Sequence, residues 1–304
     1  MSTTAAKTKA PRKPVWRWPW NDRAGRFSWL KAVTFALILL PGIWIAVTWA
    51  TVGMGPRPVN AVIHEIGKWA VRFLLITLAI TPARRILNWP QLINVRRMLG
   101  LAALTYATIH FLLYIIDQNF NLLFVASEIA NRFYLAVGFI ALVGLIVMGI
   151  TSTDNWIRRL GKDWNTLHRI VYIIAILTLL HHFLQAKVDV DVPVLMTGFF
   201  IWEMGYRLLR RYVNAPGAVW LTILAVASGI GTAAIEVAWY AAATGVRPGR
   251  VFAANFDFSY TIRPAWWVMA AGLGVVVLYL ARRFVPTSGN LRNRPAGPNV
   301  ARAE

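Results

Sequence analysis

The chain contains no cysteine, and only 14% of its 304 residues are charged. The absence of thiols excludes disulfide bonds, zinc–thiolate sites and iron–sulfur clusters. Any bound metal must therefore depend on histidine, carboxylate or methionine side chains. A soluble domain of this length carries far more charge. Together with a hydrophobic content of 58%, the scarcity of charge predicts an integral membrane protein.

Acidic residues are the scarcer kind, with 12 Asp and Glu against 32 Lys and Arg, so the formal net charge is +20. Such an excess can indicate nucleic-acid binding. Here, however, the basic residues fall in short clusters between apolar segments, as the positive-inside rule describes. The charge pattern therefore favours a membrane topology over a nucleic-acid partner.

Eight apolar segments have lengths close to the roughly 20 residues that a helix needs to cross a bilayer. The predicted spans are Leu30–Thr51, Ile66–Thr81, Met98–Ile116, Phe133–Ile150, Leu167–Leu184, Val192–Leu209, Ala218–Ala241 and Pro264–Phe284. The second is short, and we expect Trp69 and Arg72 to extend it by snorkelling. The predicted fold class is all-α, a polytopic transmembrane helical bundle. It is flanked by a basic tail over residues 1–29 and a tail over residues 286–304 that we expect to be disordered.

The basic clusters between the spans lie on the side of the basic N-terminal tail. Their members are Arg84, Arg85, Arg96, Arg97, Arg158, Arg159, Lys162, Arg207, Arg210, Arg211, Arg282 and Arg283. The opposite loops hold most of the acidic residues, although Arg247, Arg250 and Arg263 reduce the contrast in the last of them. This bias predicts that both termini are cytoplasmic. The N-terminal tail lacks a small-residue cleavage site, so we expect it to be uncleaved.

Histidines within the predicted spans are the strongest functional signal. His110 lies about 18 Å along the third span from the cytoplasmic side, and His181 and His182 lie at a similar depth on the fifth, which His168 opens. Imidazoles facing each other across two helices can ligate six-coordinate haem iron, whereas single histidines more often serve as hydrogen-bonding groups or proton relays. A step of 14 residues returns a helix almost to the same face, so helical geometry favours His182 over His181 on the face of His168.

Two sequence runs carry a family resemblance. One is Arg96-Arg97-Met98-Leu99-Gly100-Leu101, followed by Tyr106 and His110, and the other is Trp164 to Tyr172, followed by His181. The loop phrases Thr81–Arg85, Thr151–Thr153 and Leu160–Lys162 also match. From Val59 to Tyr212 the chain resembles the MsrQ (YedZ) family, haem-binding membrane subunits in the ferric-reductase-like transmembrane superfamily.

The resemblance implies haem-ligand positions at His110, His168 and His181, with His110 and His181 on an outer-side b haem. His182 falls where relatives can carry an aromatic residue, so the resemblance favours His181 over it. Many members of the superfamily carry a second histidine where this chain has Arg96 or Arg97. His168 therefore has no histidine partner, and the resemblance leaves one or two haems open. It also implies FMN, for which the sequence shows no motif.

For His64 and for four arginines the sequence allows two interpretations. His64, beside Glu65, is either an interfacial histidine or a lateral contact to haem or a partner. The arginines at positions 84, 85, 96 and 97 are topology signals or hold haem propionates. Trp164 and Tyr172 are expected to be interfacial packing residues.

The compact family form ends after about six helices, so the resemblance divides this chain. Residues 30–212 would be the ferric-reductase-like haem domain, and residues 213–285 would add two helices with a structural or partner-docking role. The implied function is to pass electrons from the quinone pool or a cytoplasmic flavin donor through b haem to a periplasmic molybdopterin subunit, MsrP. That partner reduces methionine sulfoxide in oxidised proteins at the inner membrane's periplasmic side.

Two other functions remain open from the residues. One is a free-standing ferric or quinone reductase, for which the chain lacks a GxGxxG-type loop and a soluble nucleotide-binding module. The other is a transporter or membrane scaffold that uses the histidines as proton relays.

Overall fold

The computed structural model describes residues 18–284 except residues 23, 188 and 260. The predicted basic and disordered tails therefore lie largely outside the described residues. The helices are α1 (Trp29–Thr51), α2 (Pro58–Ile86), α3 (Ile93–Asp117), α4 (Leu122–Asn131), α5 (Phe133–Thr151), α6 (Asp154–Leu160), α7 (Asp163–His168), α8 (Val171–Ala186), α9 (Asp191–Tyr212), α10 (Ala218–Thr244), α11 (Pro248–Ala254) and α12 (Pro264–Phe284). The predicted all-α helical bundle is confirmed.

Seven helical stretches among the described residues are long and apolar enough to cross a membrane. They are α1, α2, α3 with the short turn Pro90–Leu92 before it, α5, α7 together with α8, α10 and α12. Each matches one of the predicted spans. The seven helices make the chain an integral multi-pass membrane protein.

The predicted length of the second span is wrong, because α2 has 29 residues and begins eight positions before Ile66. Polar residues interrupt the apolar run there, so the hydropathy of the sequence did not indicate the first two turns of the helix. Glu65 and Lys68, for example, form an ion pair at 2.7 Å on one face of α2. Trp69 and Arg72 consequently lie well inside the helix, so snorkelling is not needed to lengthen it.

The sixth predicted span is α9, a helix of 22 residues that is not among the seven. Its acidic and basic side chains lower its apolar character. It nevertheless extends from one end of the bundle to the other. At its start the Asp191 carboxylate lies 3.4 Å from Arg263, which directly precedes α12. Near its end Arg207 donates a hydrogen bond to the carbonyl of Leu78, in the last third of α2, at 2.6 Å.

The main hydrophobic core lies between α1, α2, α3, α5, α8 and α9. The helices α10 and α12 pack against each other and against α9. Small residues allow this close approach: a Cβ added to Gly272 would lie 2.7 Å from the Cβ of Ala225. Close contact between small residues is a common basis of helix association in membranes, where apolar side chains gain little from leaving lipid. The division into domains at residue 213 stays a prediction.

One buried ion pair joins the C-terminal helices. Glu236 on α10 is fully buried, and its carboxylate lies 3.3 Å from Arg263 and accepts a hydrogen bond from Asn255 at 3.2 Å. Glu236 is the single acidic residue in the two C-terminal spans. Its partners give it a structural explanation, because a buried charge requires a paired and hydrogen-bonded environment.

Tyr106 connects α3 to α1 beside the proline inside α1. Its hydroxyl donates to the carbonyl of Ile38 at 2.7 Å and accepts from the amide of Gly42 at 3.0 Å, two groups that a regular helix would pair with each other. Pro41 lies between them inside α1, where proline disturbs the hydrogen-bond ladder. The buried tyrosine therefore satisfies two backbone groups next to this proline.

We expect Tyr106→Phe to lower the free energy of unfolding by about 1–2 kcal/mol, because it leaves the Ile38 carbonyl without its donor. The measurement is thermal unfolding of the detergent-solubilised protein. Tyr212→Phe, at a side chain that is 78% exposed, is the matched control and should leave the transition unchanged. Equal transitions for both variants would contradict the role of the hydroxyl.

Candidate cofactor site

A cavity of about 570 Å³ lies between α2, α3, α5, α8 and the start of α9. Its walls are mainly apolar, with residues such as Ala70, Val71, Leu74, Leu142 and Leu145. The volume falls within the range of about 300–1,000 Å³ that is typical of cofactor and small-molecule sites. Four of the five histidines line it: His64, His110, His181 and His182.

His110 and His181 approach each other across this cavity. Their ring centres are 6.3 Å apart, and their ring planes are nearly perpendicular, at 83°. His110 lies on α3 and His181 on α8, separated by 71 positions in the sequence. The tertiary structure thus brings together two residues that the sequence only places at a similar depth.

Each of these rings is oriented by a hydrogen bond from one of its two nitrogens. The Nδ1 atom of His110 donates to the carbonyl of Ile63 on α2 at 2.8 Å, and the Nδ1 atom of His181 donates to the carbonyl of Tyr134 on α5 at 2.7 Å. A carbonyl can only accept, so the proton of each neutral ring is on Nδ1. This leaves the Nε2 lone pair of each ring available as a ligand. A hydrogen bond to the other ring nitrogen is the usual device that orients a metal-binding imidazole.

Two glycines make these hydrogen bonds possible. A Cβ added to Gly67 would lie 2.8 Å from the Nδ1 atom of His110, and one added to Gly138 would lie 2.6 Å from the Nδ1 atom of His181. Any side chain at either position would therefore push the ring away from its carbonyl. Gly67 and Gly138 are functional candidates that the sequence reasoning missed.

The two histidines have equivalent surroundings. In both cases the accepting carbonyl lies 47 positions before the histidine, and the glycine follows that carbonyl by four positions, one helical turn. The pair α2 and α3 thus presents His110 in the same way as the pair α5 and α8 presents His181. This repeated spacing is the sequence signal by which the glycines could have been found.

The geometry fits a metal ion between the rings. Two iron–imidazole bonds of about 2 Å, with each ring centre about 1 Å behind its ligating nitrogen, span about 6 Å. The observed separation of ring centres, 6.3 Å, agrees with this span. The apolar cavity around the rings has space for a planar cofactor. The residues present therefore fit a haem group held by His110 and His181.

His182 lines the same cavity, but its Nδ1 atom is buried with no hydrogen-bond partner in the part of the chain that the structure describes. The helical geometry that favoured His182 assumed one regular helix from His168 onward. The structure instead ends α7 at His168 and begins α8 at Val171. Across this junction the hydrogen bonds from Arg169, Ile170 and Tyr172 reach back three residues rather than four, which tightens the turn. The assumption of a regular helix was wrong.

His168 lies far from the other histidines, at the end of α7 and before the first turn of α8. Its ring stacks on Trp164 with ring centres 3.9 Å apart. Its Nδ1 atom lies 3.2 Å from the carbonyl of Trp164, and its Nε2 atom lies 3.4 Å from the hydroxyl of Ser152. Trp164 in turn donates to the carbonyl of Thr151 at 2.9 Å. Both nitrogens of His168 thus have protein partners, and its role as a ligand stays a prediction.

Polar residues line one end of the cavity. His64 is exposed there, one turn before Lys68, and Glu65, Gln185 and Asp189 complete this group. The arginines at positions 84 and 85 lie about 17 residues further along α2, or about 26 Å away. Arg97 is paired with Asp154 at 2.7 Å and also donates to the carbonyl of Ser152. Lys68 therefore lines the cavity of the paired histidines, whereas the arginines at positions 84, 85, 96 and 97 do not.

Comparison with known proteins gives two kinds of match. A sequence model of the family described as "Ferric reductase like transmembrane component" matches residues 66–179, which include Gly67, His110, Gly138 and His168. Several relatives carry the name "Protein-methionine-sulfoxide reductase heme-binding subunit MsrQ". No solved structure matches the chain.

The relative from Rhodospirillum rubrum is 37% identical over 203 residues, 64% of this chain and 95% of that protein. The relative from Xanthomonas campestris pv. campestris strain 8004 is 39% identical over 183 residues, 59% of this chain and 84% of that protein. The relative from Xanthomonas oryzae pv. oryzae strain MAFF 311018 is 41% identical over 159 residues, 52% of this chain and 73% of that protein. This chain therefore exceeds its relatives in length.

Proposed function

Because the chain belongs to the MsrQ family, we propose that it is a membrane electron-transfer subunit that holds a b haem between His110 and His181. The names of the relatives describe heme-binding subunits of protein-methionine-sulfoxide reductases. The observation that carries the proposal is the pair of imidazoles 6.3 Å apart across an apolar cavity.

The surrounding residues would prepare this site for electron transfer. The Ile63 and Tyr134 carbonyls hold the two rings with Nε2 free, and Gly67 and Gly138 give the rings the space to reach those carbonyls. When bound, haem supplies a one-electron carrier whose potential depends on its axial ligands and on the polarity around it. With His110 and His181 both holding the iron, no position on it would be left for a substrate. The site thus suits conduction rather than substrate chemistry.

The sulfoxide chemistry would belong to a partner subunit. We propose a periplasmic MsrP-like molybdopterin protein as the electron acceptor, and the quinone pool or a cytoplasmic flavin reductase as the donor. The absence of cysteine agrees with this division, because this chain has no thiol with which to reduce a sulfoxide. The substrate would be methionine sulfoxide in oxidised periplasmic proteins.

The orientation follows from the charge distribution. We propose that α9 crosses the bilayer with the other seven spans, since it extends between the two ends of the bundle. Eight spans place both termini on one side, and the basic clusters identify that side as cytoplasmic. We place the protein in the bacterial inner membrane, with the His110 and His181 site toward the periplasm.

We propose one haem at this site. A second haem at His168 would require its ring to leave Trp164 and Ser152. FMN rests on the family resemblance alone, and no described residue assigns a position to it.

An absorption spectrum of the purified protein tests the proposal. After expression with sufficient haem we expect a reducible low-spin band and about one haem per chain. Colourless protein that is nevertheless folded and monodisperse would contradict the proposal and favour a proton-relay or transporter role for the histidines.

A further inference from the structure

The connection between α10 and α12 carries a row of exposed aromatic side chains. It contains the helix α11, which begins four positions after α10 ends and ends ten positions before α12 begins. Three phenyl rings of residues 248–258, which we call the aromatic segment, are more than half exposed: Phe252 at 57%, Phe256 at 59% and Phe258 at 56%. Contact of such rings with water is unfavourable. The aromatic segment therefore indicates an apolar neighbour outside the described residues.

The aromatic segment has three different faces. Val251 and Asn255 are buried against the bundle. Phe252 and Phe256, four positions apart, share a second face, and their ring centres are 5.3 Å apart. The exposed Arg250 precedes Phe252 by two positions, and two steps turn a helix by about 200°, so these two side chains lie on nearly opposite sides. A short helix with a protein face, an aromatic face and a basic face suits the boundary between lipid and water.

Helix lengths place the aromatic segment at the surface of the bilayer. α10 has 27 residues and is about 40 Å long, so about 10 Å of it extends beyond a hydrocarbon core of about 30 Å. Glu236, which accepts the hydrogen bond from Asn255 at 3.2 Å, lies eight positions before the end of α10, a rise of about 12 Å. In the first turn of α12, the indole of Trp266 donates to the carbonyl of Asn255 at 2.7 Å. Both contacts place the end of α11 level with the boundary between hydrocarbon and headgroups.

The exposed phenyl rings adjoin a helix that crosses the membrane. The rings of Phe256 and Phe258 contact that of Trp266, with ring centres 6.4 and 5.5 Å apart. The next residue of α12, Trp267, is 54% exposed. Tryptophan is enriched where a membrane meets water, because its ring is apolar and its N–H group is polar. The aromatic segment therefore continues the part of α12 that lies at this level of the bilayer.

The basic residues of this connection complement the phosphate groups of lipids. Arg247 and Arg250 are exposed, and neither side chain forms an ion pair or hydrogen bond within the described part of the chain. Arg263, by contrast, is paired with Glu236 and Asp191. The first two arginines lie on the side opposite the other basic clusters, where the positive-inside rule does not explain them. A guanidinium can donate two parallel hydrogen bonds to one phosphate, so lipid headgroups would account for both.

We propose that the aromatic segment is a membrane anchor that binds the phospholipids of one leaflet, the periplasmic one in the orientation proposed above. Phe252, Phe256 and Phe258 enter the boundary between headgroups and acyl chains, and Arg247 and Arg250 bind lipid phosphates. A soluble protein partner fits less well, because the phenyl rings lie level with the headgroups and a partner would have to displace lipid to reach them. The anchor would fix the depth of the two C-terminal helices, and it does not depend on haem.

The test uses spin labels, for which the absence of cysteine makes the chain suitable without prior substitutions. A nitroxide is attached to the Phe252→Cys, Phe256→Cys or Arg250→Cys variant of the full chain in nanodiscs of phosphatidylcholine and phosphatidylglycerol. Electron paramagnetic resonance then measures its collisions with oxygen, which concentrates in lipid, and with a nickel chelate, which stays in water. At positions 252 and 256 the oxygen-to-nickel ratio should be at least about threefold higher than at position 250, the matched control on the opposite side of the helix. All three positions are exposed, so each variant should elute as monodisperse protein.

Equal ratios at the three positions, with frequent nickel collisions, would overturn the proposal and leave the phenyl rings for a soluble partner. Few collisions with either reagent at positions 252 and 256 would overturn it as well, because they indicate a contact with a second copy of the chain. In the Phe256→Cys variant, Arg250→Gln should lower the ratio by about half through the loss of a phosphate contact. Arg283→Gln, at the far end of α12, is its control and should leave the ratio unchanged. Equal ratios for these two arginine variants would refute the phosphate contact.

Discussion

The His110→Ala and His181→Ala variants should each lose the haem, falling to about a tenth of the wild-type haem content or less. In the proposed site, removal of either histidine would leave one imidazole to hold the iron, and even the loss of a supporting hydrogen bond can lower metal affinity by about 10–100-fold. The two variants should behave alike because the two rings have equivalent supports, each donating from Nδ1 to a carbonyl 47 positions earlier. The measurement is haem per chain, from the absorption spectrum and the protein concentration.

Two other histidines provide matched controls for that experiment. His168→Ala removes the imidazole at the end of α7, where both ring nitrogens already have partners, and should leave the haem content unchanged. His182→Ala removes an imidazole from the same cavity without touching the paired rings, and most of the haem should remain. Haem that is lost with His182→Ala but retained with His181→Ala would show that the neighbouring residue is the ligand. If the His110→Ala and His181→Ala variants lose haem because a ligand is missing, added imidazole should restore part of the low-spin haem absorption band.

Gly138→Ala should weaken haem binding by about 10–100-fold without removing a ligand. The new methyl group would lie 2.6 Å from the Nδ1 atom and 2.7 Å from the Cε1 atom of His181, closer than van der Waals contact allows. The ring must move, so we expect it to lose its hydrogen bond to the Tyr134 carbonyl and its Nε2 atom to change position relative to His110. Gly67→Ala should act in the same way on His110, where the corresponding distances are 2.8 and 2.9 Å.

The control for the glycine variants is Gly100→Ala on α3, where an added Cβ would meet only Thr77, at an ordinary contact distance of 3.6 Å. It should keep the wild-type spectrum and affinity. A positioning role also predicts a displaced low-spin band or a shifted reduction potential in the haem that Gly138→Ala retains, which a general loss of stability would not produce. Wild-type affinity and spectrum in Gly138→Ala would refute the role of the glycine.

The sequence predicted most of the fold, because the length and apolar character of a span are local properties. Seven of the eight predicted segments coincide with the helices that are apolar enough to cross a membrane, and the family resemblance is confirmed. The error arose where polar residues interrupt a helix. The beginning of α2 was missed because His64 and Glu65 interrupt the apolar run before Ile66. The sixth predicted span coincides with the helix α9, although the charges of α9 lower its apolar character.

The candidate site was predictable only in part. Depth along the predicted spans placed His110 near His181 and His182, and the family resemblance preferred His181. Helical geometry could not relate either neighbour to the face of His168, because the turn after His168 is not a regular α-helix. The role of the glycines was not foreseen either, since a glycine's clearance depends on a side chain from another helix.

By itself the sequence determined that this is a multi-pass helical membrane protein of the MsrQ family, since composition, span length and motif order are properties of the chain. Only the tertiary structure decided that His110 and His181 lie 6.3 Å apart and that Gly67 and Gly138 make room for their rings. These features are distances between helices that are remote in the sequence. Such distances follow from how the side chains of the whole bundle pack together, which no local pattern specifies.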